Sequence, residues 1–199
     1  MGYAGTLRIA QTLSETYINA LRLVNARYDC VFAPDDLSPY GGLLLIGGGD
    51  VLPAFYGGCT PSAGINIIRD EAELKAVDYF VKRNLPVLGV CRGAQILNVY
   101  FGGKLSLVDN HYDYAKDLYH SVTSLSANVF YPNFPSVNSS HKQRCYPLAL
   151  CAKPLLASKD GTIEAFSAGE NVLAVQFHPE RMTDSAIKAV YGKFVEKVD

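Results

Sequence analysis

The segment Leu85-Pro86-Val87-Leu88-Gly89-Val90-Cys91-Arg92-Gly93-Ala94-Gln95 constrains this chain more than any other. A continuous apolar run passes through Gly-x-Cys-x-Gly into a stretch suited to a helix. A strand apolar at every position is buried on both faces, and a strand leading directly into a helix is the building unit of a parallel, doubly wound sheet. The join has the frame of a nucleophile elbow with cysteine at its apex. Side chains two positions either side of that apex would collide in so tight a turn, so glycine is needed at 89 and 93. The thiol of Cys91 should then stand at the carboxyl end of the sheet, where open α/β folds place their sites. It would also sit at a helix N-terminus, whose dipole favours thiolate over thiol. The competing explanation is a buried structural cysteine beside two incidental glycines.

The rest of the chain agrees with that architecture. Short strands are predicted over 7–12, 29–33, 43–46 and 86–90. Helices are predicted from Ser14 or Thr16 to about Ala26, from Asp70 to Arg83 with Leu74, Val77, Phe80 and Val81 inward, and from Arg92 to Phe101. Residues 51–68, rich in Gly and Pro, read as an irregular excursion. The second half shows short β-like runs at 121–125, 136–137, 148–152, 162–167 and 172–177, then a last helix over 184–198. The expected fold is α/β: a doubly wound, mostly parallel central sheet flanked by helices, with a small antiparallel β extension. One domain over residues 1–199 is expected, because 199 residues with 49% hydrophobic content bury a sufficient core without staples.

Charge and cysteine usage remove several function classes. A formal net charge of −1 argues against a general nucleic-acid binder. Cys30, Cys59, Cys91, Cys145 and Cys151 are odd in number and contain no C-x-x-C pair, which speaks against a disulfide framework or a tetrahedral zinc site. Outside the elbow, the other four read as structural or incidental. His111, His120 and His141 show no ligand spacing with one another or with cysteine, so no metal and no cofactor are expected. No basic, apolar leader opens the chain and no run approaches the ~18 apolar residues of a membrane span, so the reading is cytoplasmic with no membrane partner. Asn138-Ser139-Ser140 matches a glycosylation sequon, read as unmodified in that compartment.

Two further segments suit the same chemistry. In Ala174-Val175-Gln176-Phe177-His178-Pro179-Glu180 an apolar strand ends in His-Pro-Glu. In extended chain, residues i and i+2 point to the same side, and proline biases the preceding residue toward that conformation. Glu180 can therefore hold the His178 imidazole in one tautomer and leave its other nitrogen for a thiol. Leu43 to Ile46, followed by Gly47-Gly48-Gly49-Asp50, offers backbone N–H groups that can approach a ligand closely. A developing oxyanion would be met by the N–H of Gly48 or its neighbour and by that of Arg92. A surface histidine and a plain strand-ending turn are the bland alternatives. A phosphate loop is not, since the Lys-Ser/Thr of a Walker motif is missing.

At these residues the chain resembles the class I glutamine amidotransferase-like superfamily, most closely its γ-glutamyl-γ-aminobutyrate hydrolase and γ-glutamyl hydrolase group of peptidase C26 type. The resemblance runs through Leu45 to Val51, Arg69-Asp70, Val87 to Gln95 with Asn98, Gly102 to Leu105, His120 to Val122, Val137 to His141, Asp160 to Ala165 and Gln176 to Glu180. It implies hydrolysis of a γ-glutamyl amide through a thioester on Cys91, with His178 as acid and base and Glu180 orienting it. It also implies that Gln95 and the Asn138, Ser139, Ser140, His141 segment hold the substrate's amino-acid end. Lys142 stands where relatives often carry glycine, and the chain is shorter than many relatives around 108–120, next to the expected leaving-group side. The expected partner is a small γ-glutamyl molecule, and a homodimer would be ordinary. Two other readings remain: a glutaminase subunit delivering ammonia to a separate synthase, and a non-catalytic binding or regulatory module on the same fold.

Overall fold

A computed structural model describes residues 5–9, 14–31, 36–126 and 134–198. In chain order the elements are β1 (Gly5–Ile9), α1 (Glu15–Leu23), β2 (Tyr28–Val31), β3 (Tyr40–Leu45), α2 (Ile67–Lys82), β4 (Val87–Val90) and α3 (Arg92–Tyr100). They continue with β5 (Leu105–Leu107), β6 (Leu118–Ser124), β7 (Ser136–Ser139), β8 (Gln143–Cys145), β9 (Lys153–Ser158), β10 (Ile163–Ala168), β11 (Val172–Val175), α4 (Asp184–Ile187) and α5 (Lys193–Val198). The main sheet runs β2-β1-β3-β4-β11-β10-β9-β6-β7. Its first five strands are parallel, and the remaining pairings are antiparallel. β5 and β8 form a separate antiparallel pair. A doubly wound parallel core with an antiparallel extension is what the alternation of apolar runs and amphipathic helices called for.

Period-two alternation in β3 explains the two layers. Leu44 packs on the side of α1 and the C-terminal helices with Leu88, Val90, Phe177 and Tyr191. Leu43 and Leu45 face the other way, against α2 and α3 with Val77, Phe80, Ala94 and Leu97. Both faces of the central strands are thus covered, as parallel strands require.

Several boundaries moved for local reasons. α2 begins at Ile67 because Asn66 caps it, its side-chain oxygen accepting the Arg69 N–H at 3.1 Å. Its inward face carries Asp70 and Glu73 as well as Ala76, Val77 and Phe80, while Leu74 and Val81 are only partly buried. Ser14 precedes α1 but gives no side-chain cap; its hydroxyl pairs with that of Thr16. The run over 148–152, expected as a strand, is a turn. The Asn98 side chain takes the Ala149 N–H at 2.9 Å and the Ala152 N–H closes back on Ala149, so no ladder can form there. Cys151 accordingly lies exposed in that turn, Cys30 is exposed on β2, and Cys145 is buried on β8. The small sheet of β5 and β8 was not legible, because three-residue strands show no period. The ends of the predicted strands over 7–12 and 29–33 fall outside the described residues. Among the described residues no helix is long and apolar enough to cross a membrane.

Candidate active site

The elbow forms as its glycines demand. Cys91 has φ 53° and ψ −108°, a strained conformation for a side-chain-bearing residue, and caps α3 directly after β4. Its N–H is held by the Val175 carbonyl at 2.8 Å, so β11 clamps the apex. A Cβ on Gly89 would come within 2.6 Å of the Gly93 carbonyl oxygen, and one on Gly93 within 2.4 Å of that of Leu45. Both are backbone atoms that cannot yield.

β11 ends next to β4 and delivers His178. Its Nδ1 lies 2.7 Å from Glu180 Oε1, so the ring's other nitrogen is left for Cys91, to which the imidazole is also hydrogen-bonded. Glu180 is braced by the Tyr191 hydroxyl, which donates to Oε2 at 3.2 Å from a π-helical turn at Lys188–Gly192 between α4 and α5. Asn138 grips the backbone of His178 from both sides, accepting its N–H at 2.9 Å and donating to its carbonyl at 3.1 Å. Burial alone would lower the imidazole's pKa. The negative charge and hydrogen bond of Cys91 and those of Glu180 outweigh it and push the pKa up to about 9. The ring is therefore held as imidazolium at neutral pH, hydrogen-bonded to Cys91.

The glycine turn after β3 closes the third side. The Arg69 guanidinium donates to the carbonyls of Ile46 and Gly47 at 3.0 and 3.1 Å. A planar trans peptide points its N–H opposite to its C=O, so fixing the Gly47 carbonyl fixes the direction of the Gly48 N–H. The Gly47 N–H is taken by the Tyr17 hydroxyl at 3.0 Å. The Arg92 N–H, in the first turn of α3, has no intrahelical acceptor, as at the start of any helix. Cys91, His178, Gly47, Gly48, Tyr17 and Ser140 are among the residues lining one cleft of about 350 Å³.

Of the residues expected at the substrate, Ser140 lines this cleft. The others are buried behind it. Gln95 donates to the Gln143 carbonyl at 3.0 Å, Ser139 to the His111 carbonyl at 2.8 Å, and His141 to the Gln143 carbonyl at 2.9 Å.

One arrangement was missed in the sequence. Asp70 and Glu73 are fully buried and both pair with Arg92, while Arg69 bonds Glu73 at 2.8 Å. Asp70 also accepts the Leu52 N–H at 2.9 Å. This network ties the residue after the nucleophile to the glycine turn. Its signal was available: acids at 70 and 73 share the helical face of Val77 and Phe80, where an unpaired carboxylate would not be tolerated.

A family model for peptidase C26 matches residues 33–180. The glutamine amidotransferase-like protein YvdE of Lactococcus lactis is 38% identical over 154 residues, 69% of this chain and 65% of that protein. The γ-glutamyl-CDP-amidate hydrolase of Campylobacter jejuni is 29% identical over 140 residues, 70% of this chain and 62% of its own. The chain thus spans just under two thirds of these relatives. A glutamine amidotransferase structure from Thermotoga maritima superposes with a TM-score of 0.67 at 20% identity, covering 98% of this chain and 85% of the other.

Proposed function

The chain belongs to the peptidase C26 family, and from there we propose that it hydrolyses γ-glutamyl amide bonds through a cysteine thioester. The observation carrying this reading is the hydrogen-bonded pair of Cys91 and a protonated His178, oriented by Glu180 and lining one cleft with Gly48. The Cys91 thiolate adds to the γ-carbonyl carbon, and the electron pair moves onto oxygen, where the N–H groups of Gly48 and Arg92 meet it. Collapse of the adduct expels the amine as the His178 imidazolium gives it a proton, leaving the γ-glutamyl group on sulfur. The neutral imidazole then takes a proton from water as the water attacks the thioester. Thiolate leaves, glutamate is released and the protonated His178 is restored. Ser140 borders the substrate's amino-acid end, and Asn138 acts as a positioning residue through the His178 backbone.

The deciding experiment is a panel of γ-glutamyl amines and glutamine, following both glutamate and amine release. Turnover of at least one γ-glutamyl amine by the protein alone is expected. Inertness across the panel would sink the hydrolase reading, and glutamine turnover appearing only with an added synthase would favour the glutaminase-subunit reading.

The pH profile is a separate prediction. With the folded pKa of His178 raised to about 9 from 6.5, the protonated ring is fully retained below about pH 6.5 and lost as pH rises through about 9. Acylation needs that proton, so kcat/KM should fall on the alkaline side with an apparent pKa near 9 belonging to the Cys–His pair. Glu180→Gln should move this limb to lower pH, and an unmoved limb would remove His178 as the titrating group.

A further inference from the structure

A second cluster, none of whose members lines the Cys91 cleft, gathers three distant segments. His111 is in the loop between β5 and β6, His141 in the turn between β7 and β8, and Glu164 on β10; all three are buried. His111 Nδ1 is 3.3 Å from His141 Nε2 and 3.5 Å from Glu164 Oε1, and His141 Nε2 is 4.0 Å from Glu164 Oε2.

Each imidazole has its outer nitrogen committed as a donor. His141 Nδ1 donates to the Gln143 carbonyl at 2.9 Å, and His111 Nε2 to Asp160 Oδ2 at 3.1 Å. Asp160 is held ionised as an acceptor by the Ser158 hydroxyl and by the N–H and hydroxyl of Thr162. The inner nitrogens therefore present lone pairs to one another. The Ser139 hydroxyl, 3.2 Å from His111 Nδ1, directs its single proton to the His111 carbonyl at 2.8 Å. Among the described residues, both oxygens of Glu164 are buried without any hydrogen-bond partner. Two lone pairs and a carboxylate converging in a protein interior repel and stay desolvated unless a cation lies between them.

We propose that His111, His141 and Glu164 bind a divalent transition-metal ion, zinc by the donor set. Zinc takes imidazole and carboxylate ligands at about 2.0–2.2 Å, and a tetrahedral site then sets neighbouring donors roughly 3.3–3.5 Å apart. The His111–His141 edge and the His111–Glu164 Oε1 edge already have that length. With one atom taken from each residue all three donors lie within 4.8 Å of one another, so the remaining edge needs to close by roughly an ångström, within reach of a turn of the carboxylate. The carbonyl and carboxylate behind the histidines are the outer partners that fix a metal-binding tautomer. A cleft of about 360 Å³, lined by His111, His120, Ser158 and Asp160 among others, provides an entry path. Burial pushes His141 down to about 3 and lowers His111, keeping both rings neutral for ligation. Burial also pushes Glu164 up to about 8, which makes a proton the rival occupant. The ion would pin three chain segments that back Ser140 and Asn138, so its role is structural and independent of the γ-glutamyl reading.

The test uses the full chain without a histidine tag. Wild type, stripped with a chelator, is titrated with Zn²⁺ and with Co²⁺. One equivalent should bind, with tetrahedral Co²⁺ bands and no sulfur charge-transfer band. Zinc at about a hundred times its Kd should raise Tm by about 5–10 °C. Cys91→Ala should bind equally, and Glu164→Gln should lose binding; if that variant is unfolded by circular dichroism, His111→Gln at the cleft edge replaces it. Failure to bind either ion, binding that survives Glu164→Gln, or binding that disappears with Cys91→Ala would overturn the site. A Glu164→Gln protein as stable as wild type, with zinc shifting neither, would assign the position to a proton instead.

Discussion

Cys91→Ala is expected to lower kcat for γ-glutamyl amide hydrolysis by about 10⁴-fold or more, because triad members act as a unit and the nucleophile has no substitute. Among the described cysteines, Cys145 is also buried, but on β8, and burial pushes its thiol well above the usual range, making it a poor nucleophile. Cys30, Cys59 and Cys151 are exposed and lie outside the cleft. The substitution should leave the fold in place, since the elbow is held by backbone contacts: the Cys91 N–H on Val175 and the close approaches of Gly89 and Gly93. A glutamine-like electrophile should label the wild type once, at Cys91, and not label the alanine variant at that position. Retention of more than about a hundredth of the activity by a folded Cys91→Ala protein would remove the thioester from the mechanism.

Arg92→Met is expected to cost about 3–5 kcal/mol, the usual penalty when one partner of a buried ion pair is removed. For a chain of this length that is a fall in Tm of about 6–20 °C. The guanidinium is the shared partner of Asp70 and Glu73, and all three side chains are essentially solvent-free. Without it, Asp70 keeps the Leu52 N–H and Glu73 keeps Arg69, but two carboxylates face each other with one cation between them. Neutralising the acids as well, in Asp70→Asn/Glu73→Gln/Arg92→Met, should recover part of the loss, which packing damage alone would not allow. Thermal unfolding of the single and triple variants reads this directly. A single variant as stable as wild type would mean that the network neither braces α2 against α3 nor fixes the glycine turn.

Much of the site was written in short stretches of chain. Gly89-Val90-Cys91-Arg92-Gly93 is legible because its chemistry is local: a strained apex, two glycines that must lack a Cβ, and a helix that starts immediately. His178 and Glu180 are legible because they stand only two residues apart, although the pairing is made by a 3₁₀ turn over Pro179–Arg181 and not by the extended chain expected around the proline. Asn138 is different. It was expected at the substrate, yet it holds the backbone of a histidine forty residues away, a contact that no spacing announces.

The sequence by itself determined the parallel core, the elbow and the pairing of His178 with Glu180, because each depends on residues within a few positions of one another. Only the tertiary structure decided that Arg92 would be the buried counterion of Asp70 and Glu73, and that His111, His141 and Glu164 would meet. Those groups come from separate elements, and it is the order of strands in the sheet that brings them within a few ångströms. Once there, burial makes an unpaired charge or lone pair so costly that each must find its partner.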